Sequence, residues 1–220
     1  MVRDKSKDIL GFVGIGYQDY LGARLLLING LLKQGTGLAA TAVEKFLKGV
    51  ILIKGNKCKG HLGENLIRAV KNQQPQLYDS LNIDFIRFLK KAYKLRYTDE
   101  IKERFSIVIN QYRTLAELDK TINLIDSGIN ITKNGISVDT VYRQGLEKRE
   151  SLLVEENYIA LSMARSEYLK KKNKVVELSI EPDTNGLSLS YVTDGVNDEG
   201  SFLKQVEIST KMKIAKITYG

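Results

Sequence analysis

His61 is the only imidazole in the chain, and it closes the cation-rich run GNKCKGH, with Lys54, Lys57 and Lys59 just ahead of it. Histidine alone has an ordinary pKa close to neutrality, so an acid–base step near pH 7 would fall first to His61. Further along, Arg96-Tyr97 interrupts a helical pattern. Arginine grips phosphate with a two-pronged fork, lysine meets it as a point charge, and a tyrosine ring stacks on a base. Lys54, Lys57, Lys59, His61, Arg96 and Tyr97 are therefore the expected contacts for a phosphate-bearing ligand, RNA or a nucleotide, provided the two connections converge. The plainer alternative has His61 as a polar residue opening a helix, Arg96 tied to Asp99 or Glu100, and Tyr97 filling one end of a bundle.

Other chemistries lack their residues. One histidine and one cysteine cannot build a nitrogen–sulfur metal site, and no calcium-loop or His-Glu-x-x-His spacing occurs, so no metal and no cofactor is expected. LGFVGIG lacks the Gly-Lys-Ser/Thr ending and preceding strand of a phosphate loop. Neither a nucleophile elbow, a dinucleotide fingerprint nor a Ser-His-Asp set can be drawn.

The net charge of +8 and pI near 9.3 favour polyanionic partners. The charge is uneven, with ten basic and four acidic side chains in residues 1–60 against four basic and seven acidic in residues 175–220. An anion is expected to meet the helical part, not the tail. Cys58 has no second cysteine to pair with, which fits a reducing compartment. The start MVRDKSKDILG has no signal-peptide core, and the longest apolar patches fall short of the ~18–20 residues that cross a bilayer. A cytoplasmic protein without membrane contact is expected.

The elements that must hold these residues read as mainly α, an antiparallel helical bundle with an additional helix and a small C-terminal antiparallel β element. Residues 1–16 read as a flexible N-terminal segment, 17–127 as the bundle, 128–174 as a connection with the additional helix, and 175–220 as the β-rich element. In Tyr17–Lys54 the apolar positions Ala39, Ala42, Val43, Phe46, Leu47, Val50 and Ile51 recur at helical spacing. Tyr17, Tyr20, Leu21, Leu25, Ile28 and Leu32 do the same before them, so two helices are expected, divided at Gly35-Thr36-Gly37 with Thr36 as the cap. A short helix over His61–Lys71 is ended by Pro75, a further helix covers Leu77–Ala92, and a long one covers residues 101–126, capped by Thr98 or Asp99. Asn134-Gly135 marks either a hairpin or an irregular connection. Residues 139–171 read as one more helix. Beyond Lys174 the period switches to two, with strands about Val176–Ile180 and Leu187–Tyr191 turning at Asn185-Gly186, and one or two more strands after Phe202.

The run YLGARLLLINGLLKQGTGLAATAVEKFLKGVILIKG, then GHLGENL, then AYKLRYTDE, resembles the nucleotide-binding helical domain of higher eukaryotes and prokaryotes, HEPN, over residues 17–126. Its Ala-Val-Glu-Lys-like core corresponds to Ala42-Val43-Glu44-Lys45, its helix-opening His to His61, and its Arg-Tyr-Pro-Asp-like element to Arg96-Tyr97-Thr98-Asp99. The resemblance implies a helical bundle that commonly dimerises. It also implies one of three roles: a ribonuclease, a module paired with a nucleotidyltransferase, or a non-catalytic binding module. The ribonucleases place an arginine a few residues ahead of the histidine, whereas only lysines stand ahead of His61 here. Binding is thus the expected role, in a prokaryotic defence or toxin–antitoxin setting, as a homodimer or beside a nucleotidyltransferase-type protein. The competing expectations are a metal-independent ribonuclease using His61 and Arg96, and a non-catalytic scaffold.

Overall fold

The computed structural model describes residues 6–55, 60–97, 105–133, 136–171, 173–181, 186–195 and 202. The fold is mainly α, as expected, with small antiparallel sheets. Two long helices, α1 (Ser6–Ile28) and α2 (Leu32–Ile53), form an antiparallel hairpin at its centre. Around it lie α3 (Glu64–Gln73), α4 (Pro75–Ser80), α5 (Ile83–Lys94) and α6 (Gln111–Ser127). Among the described residues no helix is long and apolar enough to cross a membrane.

Glycine sets how closely α1 and α2 approach. A Cβ on Gly35 would stand 2.7 Å from Leu27 Cγ, one on Gly49 3.0 Å from Val13 Cγ2, and one on Gly16 3.0 Å from the Phe46 ring. Residues 6–16 are therefore helical, not a flexible entry, because buried Val13 and Ile9 dock there on α2. The break between the helices falls at Asn29-Gly30-Leu31, where Gly30 takes φ +79°. Gly35, Thr36 and Gly37 lie inside α2, and Thr36 is no cap: its hydroxyl is buried and donates to the Leu32 carbonyl at 2.7 Å.

Other expected helices are shorter or divided. Residues 60–63 are a bend ahead of α3, so His61 stands outside the helix. Pro75 occupies the first turn of α4, and Asn82 then caps α5, its side chain accepting from Phe85 N at 3.1 Å. The long helix expected over 101–126 starts only at Gln111. Ahead of it Phe105–Asn110 is a strand, β1, with Ile107 and Ile109 wholly buried and Val108 between them half-buried. That is a period of two, which a helical reading of Phe105, Val108, Ile109 and Tyr112 conceals. Thr98, Asp99 and Glu100 lie outside the described residues.

The hairpin alternative holds at residues 131–138, where β2 (Ile131–Lys133) pairs with β3 (Ile136–Val138); Asn134-Gly135 is outside the description. Residues 139–171 form three short helices, α7 (Val141–Glu147), α8 (Ser151–Val154) and α9 (Arg165–Tyr168), interrupted by left-handed backbone at Arg149, Glu156 and Ser162. A buried arginine accounts for the break at Glu156, whereas local turns close the other two. Arg24 donates to the carbonyls of Leu152 (3.0 Å) and Glu155 and to Asp119, so this segment yields its carbonyls to α1 instead of continuing a helix. The expected β hairpin forms from β4 (Asn173–Glu181) and β5 (Gly186–Gly195). It pairs with β1 in the order β1-β4-β5, with Ile107 opposite Leu178 and Ile109 opposite Val176. Strands expected after Phe202 lie outside the described residues.

Candidate nucleic-acid interface

The two connections singled out in the sequence meet on one surface. His61 is held from both sides by an acid–base pair one turn apart on α2. The Lys48 ammonium donates to the Gly60 carbonyl at 2.6 Å and to Glu44 at 2.7 Å, while Glu44 accepts the Leu62 N–H at 2.7 Å. Buried Leu62 plugs the bend into the core, and Gly60 supplies the turn with φ +93°. The imidazole itself is 83 % exposed, with Nδ1 3.7 Å from Glu44 Oε2.

The other side of the site comes from the end of α5. The His61 ring lies roughly parallel to that of Tyr93, centroids 6.4 Å apart. Tyr93 in turn faces Tyr97 at 6.0 Å, and the Arg96 guanidinium stands 5.3 Å from the Tyr93 ring centre. A hydrogen bond with Tyr97, together with burial, pushes the Tyr93 phenol up, and the Arg96 charge opposes this. Tyr97 is 45 % exposed, so it does not simply fill the bundle end. The Arg96 stem runs along α2 at Gly37, where a Cβ would meet its Cδ at 3.6 Å. Gly37, Glu44 and Lys48, seven and four residues apart, thus share one face of α2 beneath the site.

Further cations stand on the same elements. Lys90, one turn before Tyr93, comes within 3.5 Å of the Cβ position on Gly63, and Lys54 is exposed at the end of α2. Arg87 is engaged by Glu64 through a forked pair at 3.0 and 3.3 Å, which holds the Glu64 carboxyl below its usual range. Lys57 and Lys59 lie outside the described residues. His61, Arg96 and Tyr97 therefore come together, and Tyr93, Glu44 and Lys90 join them. Tyr93 was detectable in principle as an aromatic residue on the charged side of an amphipathic helix, one turn from both Lys90 and Arg96.

Chemically the arrangement offers ring faces for stacking, the Arg96 guanidinium and the Lys90 ammonium for phosphate, and one exposed imidazole. Among the described residues no three metal-ligating side chains come together. Comparison with known protein families, with curated proteins and with solved structures finds no match to this chain.

Proposed function

We propose that this chain is a nucleic-acid- or nucleotide-binding module of HEPN type, acting in the cytoplasm of a prokaryotic defence or toxin–antitoxin system. The observation that carries the reading is the ring cluster His61, Tyr93 and Tyr97, with Arg96 over Tyr93 and Lys90 beside Gly63. Interleaved cations and stacking faces are what an unpaired strand requires, the cations for its phosphates and the rings for its bases. Lys57 and Lys59, outside the described residues, belong to the proposed contacts by their place in the sequence between Lys54 and His61. The HEPN resemblance supports the same role, and it adds self-association and a nucleotidyltransferase-type partner as companions.

The test is a titration of fluorescent single-stranded RNA at several salt concentrations, read by anisotropy. Binding weakens linearly in log salt as counterions are released. Arg96→Ala weakens it and lowers the slope by about one, and Tyr97→Ala costs about 1–3 kcal/mol through lost stacking. Absence of salt-sensitive binding at low ionic strength would refute the proposal.

A ribonuclease reading is favoured by the exposure of His61 beside Arg96's helix end, since an imidazole open to solvent can reach a ribose hydroxyl. His61 would take the proton of a ribose 2′-hydroxyl as that oxygen attacks the adjacent phosphorus; the P–O5′ bond breaks, a water protonates the departing 5′-oxygen to a hydroxyl, and a 2′,3′-cyclic phosphate remains, the imidazolium returning its proton to solvent. Arg96 or Lys54 would stabilise the charged phosphorane. Cleavage of RNA but not of its 2′-deoxy analogue, lost in His61→Ala, would establish it; intact RNA after incubation with wild type leaves binding alone.

A further inference from the structure

The seam between the start of α3 and the outer side of α5 runs on past the ring cluster. Three contacts follow one another along it in antiparallel order: the His61 ring on Tyr93, Gly63 beside Lys90, and Glu64 on Arg87. Tyr93, Lys90 and Arg87 are spaced by three residues on α5, so the seam carries cations about 9 Å along the helix from the ring cluster. Arg87 Nε donates to Glu64 Oε1 at 3.0 Å and its Nη2 donates to Oε2 at 3.3 Å. That is the fork with which arginine also grips two oxygens of a phosphate. The two side chains are 41 % and 50 % exposed, so the pair is held loosely and opens at little cost. The surroundings suit an anion: the Arg87 hydrogen bond, against slight burial, and then the charges of Arg87, Lys90 and Arg68 hold the Glu64 carboxyl below its usual range. Asp84, one turn before Arg87 on α5, acts on the same guanidinium through its charge.

We infer that Arg87 is a masked phosphate contact of the candidate interface, and that Glu64 is a built-in competitor holding the place of a strand phosphate on it. The inference rests on the nucleic-acid binding proposed above and concerns how tightly that interface holds its strand. A strand with a base stacked at Tyr93 lays its backbone past Lys90 towards Arg87. Before a phosphate can take the fork, Glu64 must leave it, and the displaced carboxylate then stands as a like charge beside the strand. Gain and loss nearly cancel. The wild-type chain therefore draws little affinity from Arg87, and Glu64 sets binding below what the cations of the seam would give without it.

Four proteins test this: wild type, Glu64→Gln, Arg87→Gln and the double variant, each titrated with fluorescein-labelled single-stranded RNA over a range of salt. All four should keep their helix content in circular dichroism, because the pair is exposed. Glu64→Gln should tighten binding by about three- to tenfold and steepen the log–log salt slope by about one, as Arg87 becomes available to a phosphate. Arg87→Gln should change wild-type affinity by less than about twofold, yet cost the Glu64→Gln protein on the order of tenfold. An equal effect of Arg87→Gln in both backgrounds would show that Glu64 acts only as a like charge at a distance, and would overturn the masking. RNA binding that Glu64→Gln leaves unchanged would overturn it too, while the interface itself stands. No binding by any of the four at low salt would remove the interface, and this inference with it.

Discussion

Arg24 and Asp119 form an ion pair from which water is wholly excluded, both side chains being 0 % exposed. Tyr20 donates to the same carboxylate oxygen at 2.7 Å, and the Asn157 amide reaches the Tyr20 hydroxyl at 3.4 Å. The guanidinium also holds two carbonyls of the 150–155 segment, so one side chain joins α1, α6 and the irregular layer. Burial pushes the Asp119 carboxyl up, while Arg24 and Tyr20 pull it down. Arg24→Met strands that carboxylate in the core and should cost about 3–5 kcal/mol in urea denaturation at pH 7. Replacing both partners, Arg24→Met with Asp119→Leu, should recover much of this, because two matched apolar groups leave no buried charge unpaired. The sign with pH is fixed. In Arg24→Met the folded-state pKa of Asp119 lies above its unfolded value of 3.8, so the folded form takes up the proton first. The deficit then shrinks as pH falls through that raised pKa. A deficit that grows on acidification would show that Asp119 is not the stranded group.

Glycines in α1 and α2 divide into two kinds that composition alone does not separate. A Cβ on Gly11 or Gly14 meets nothing within 4 Å, whereas one on Gly35 collides with Leu27 Cγ at 2.7 Å and the Leu27 backbone nitrogen at 3.0 Å. Gly14→Ala should therefore stabilise by up to about 1 kcal/mol through helix propensity. Gly35→Ala should destabilise by about 1–3 kcal/mol, because the helices must part. Paired thermal melts that gave both changes the same sign would contradict the packing. The same distinction explains what was readable beforehand. Strict periodicity in Ala39–Ile51 and in Val176–Ile180 identified α2 and β4, each set by one buried face. Gly35-Thr36-Gly37 misplaced the turn because a helix-breaking residue and a close-approach residue look alike in one sequence. The strand β1 was hidden because Phe105, Val108, Ile109 and Tyr112 satisfy helical spacing while the face that packs is Ile107 and Ile109. Likewise the break at Glu156 answers to Arg24, more than a hundred residues away, which no local pattern records. In the candidate interface His61, Arg96 and Tyr97 were marked by type, by their place in two connections and by the HEPN resemblance. The clamp by Glu44 and Lys48 needed the bend at Gly60 to be seen.

The molecule as a whole leaves α1 covered on one side only. Tyr17, Tyr20, Leu21, Ala23 and Leu27 are buried, while Phe12, Ile15 and Leu25 are 38 %, 58 % and 45 % exposed. Lys7, Gly11 and Gln18 are the other exposed residues of that helix, so its outer side carries little charge. Asp19, near its middle, is already neutralised by Lys45 at 2.5 Å and by the Thr41 hydroxyl at 2.7 Å. We propose, with the HEPN resemblance, that two copies associate through this side of α1 about a two-fold axis, since an isologous contact sets each exposed residue against a surface of the same composition. The open Cα positions of Gly11 and Gly14 would let the partner backbone approach closely. The net charge of +8 opposes association at low ionic strength and is screened as salt rises, since the Debye length shortens to about 10 Å at 0.1 M. Light scattering at micromolar concentration in 0.15 M salt should give twice the 24.8 kDa of the chain. Ile15→Asp should return it to a monomer without loss of helix content, because that side chain stands clear of the core. A mass that stays at 24.8 kDa across concentration and salt would refute the dimer, and one that doubles yet ignores Ile15→Asp would move the contact to another face.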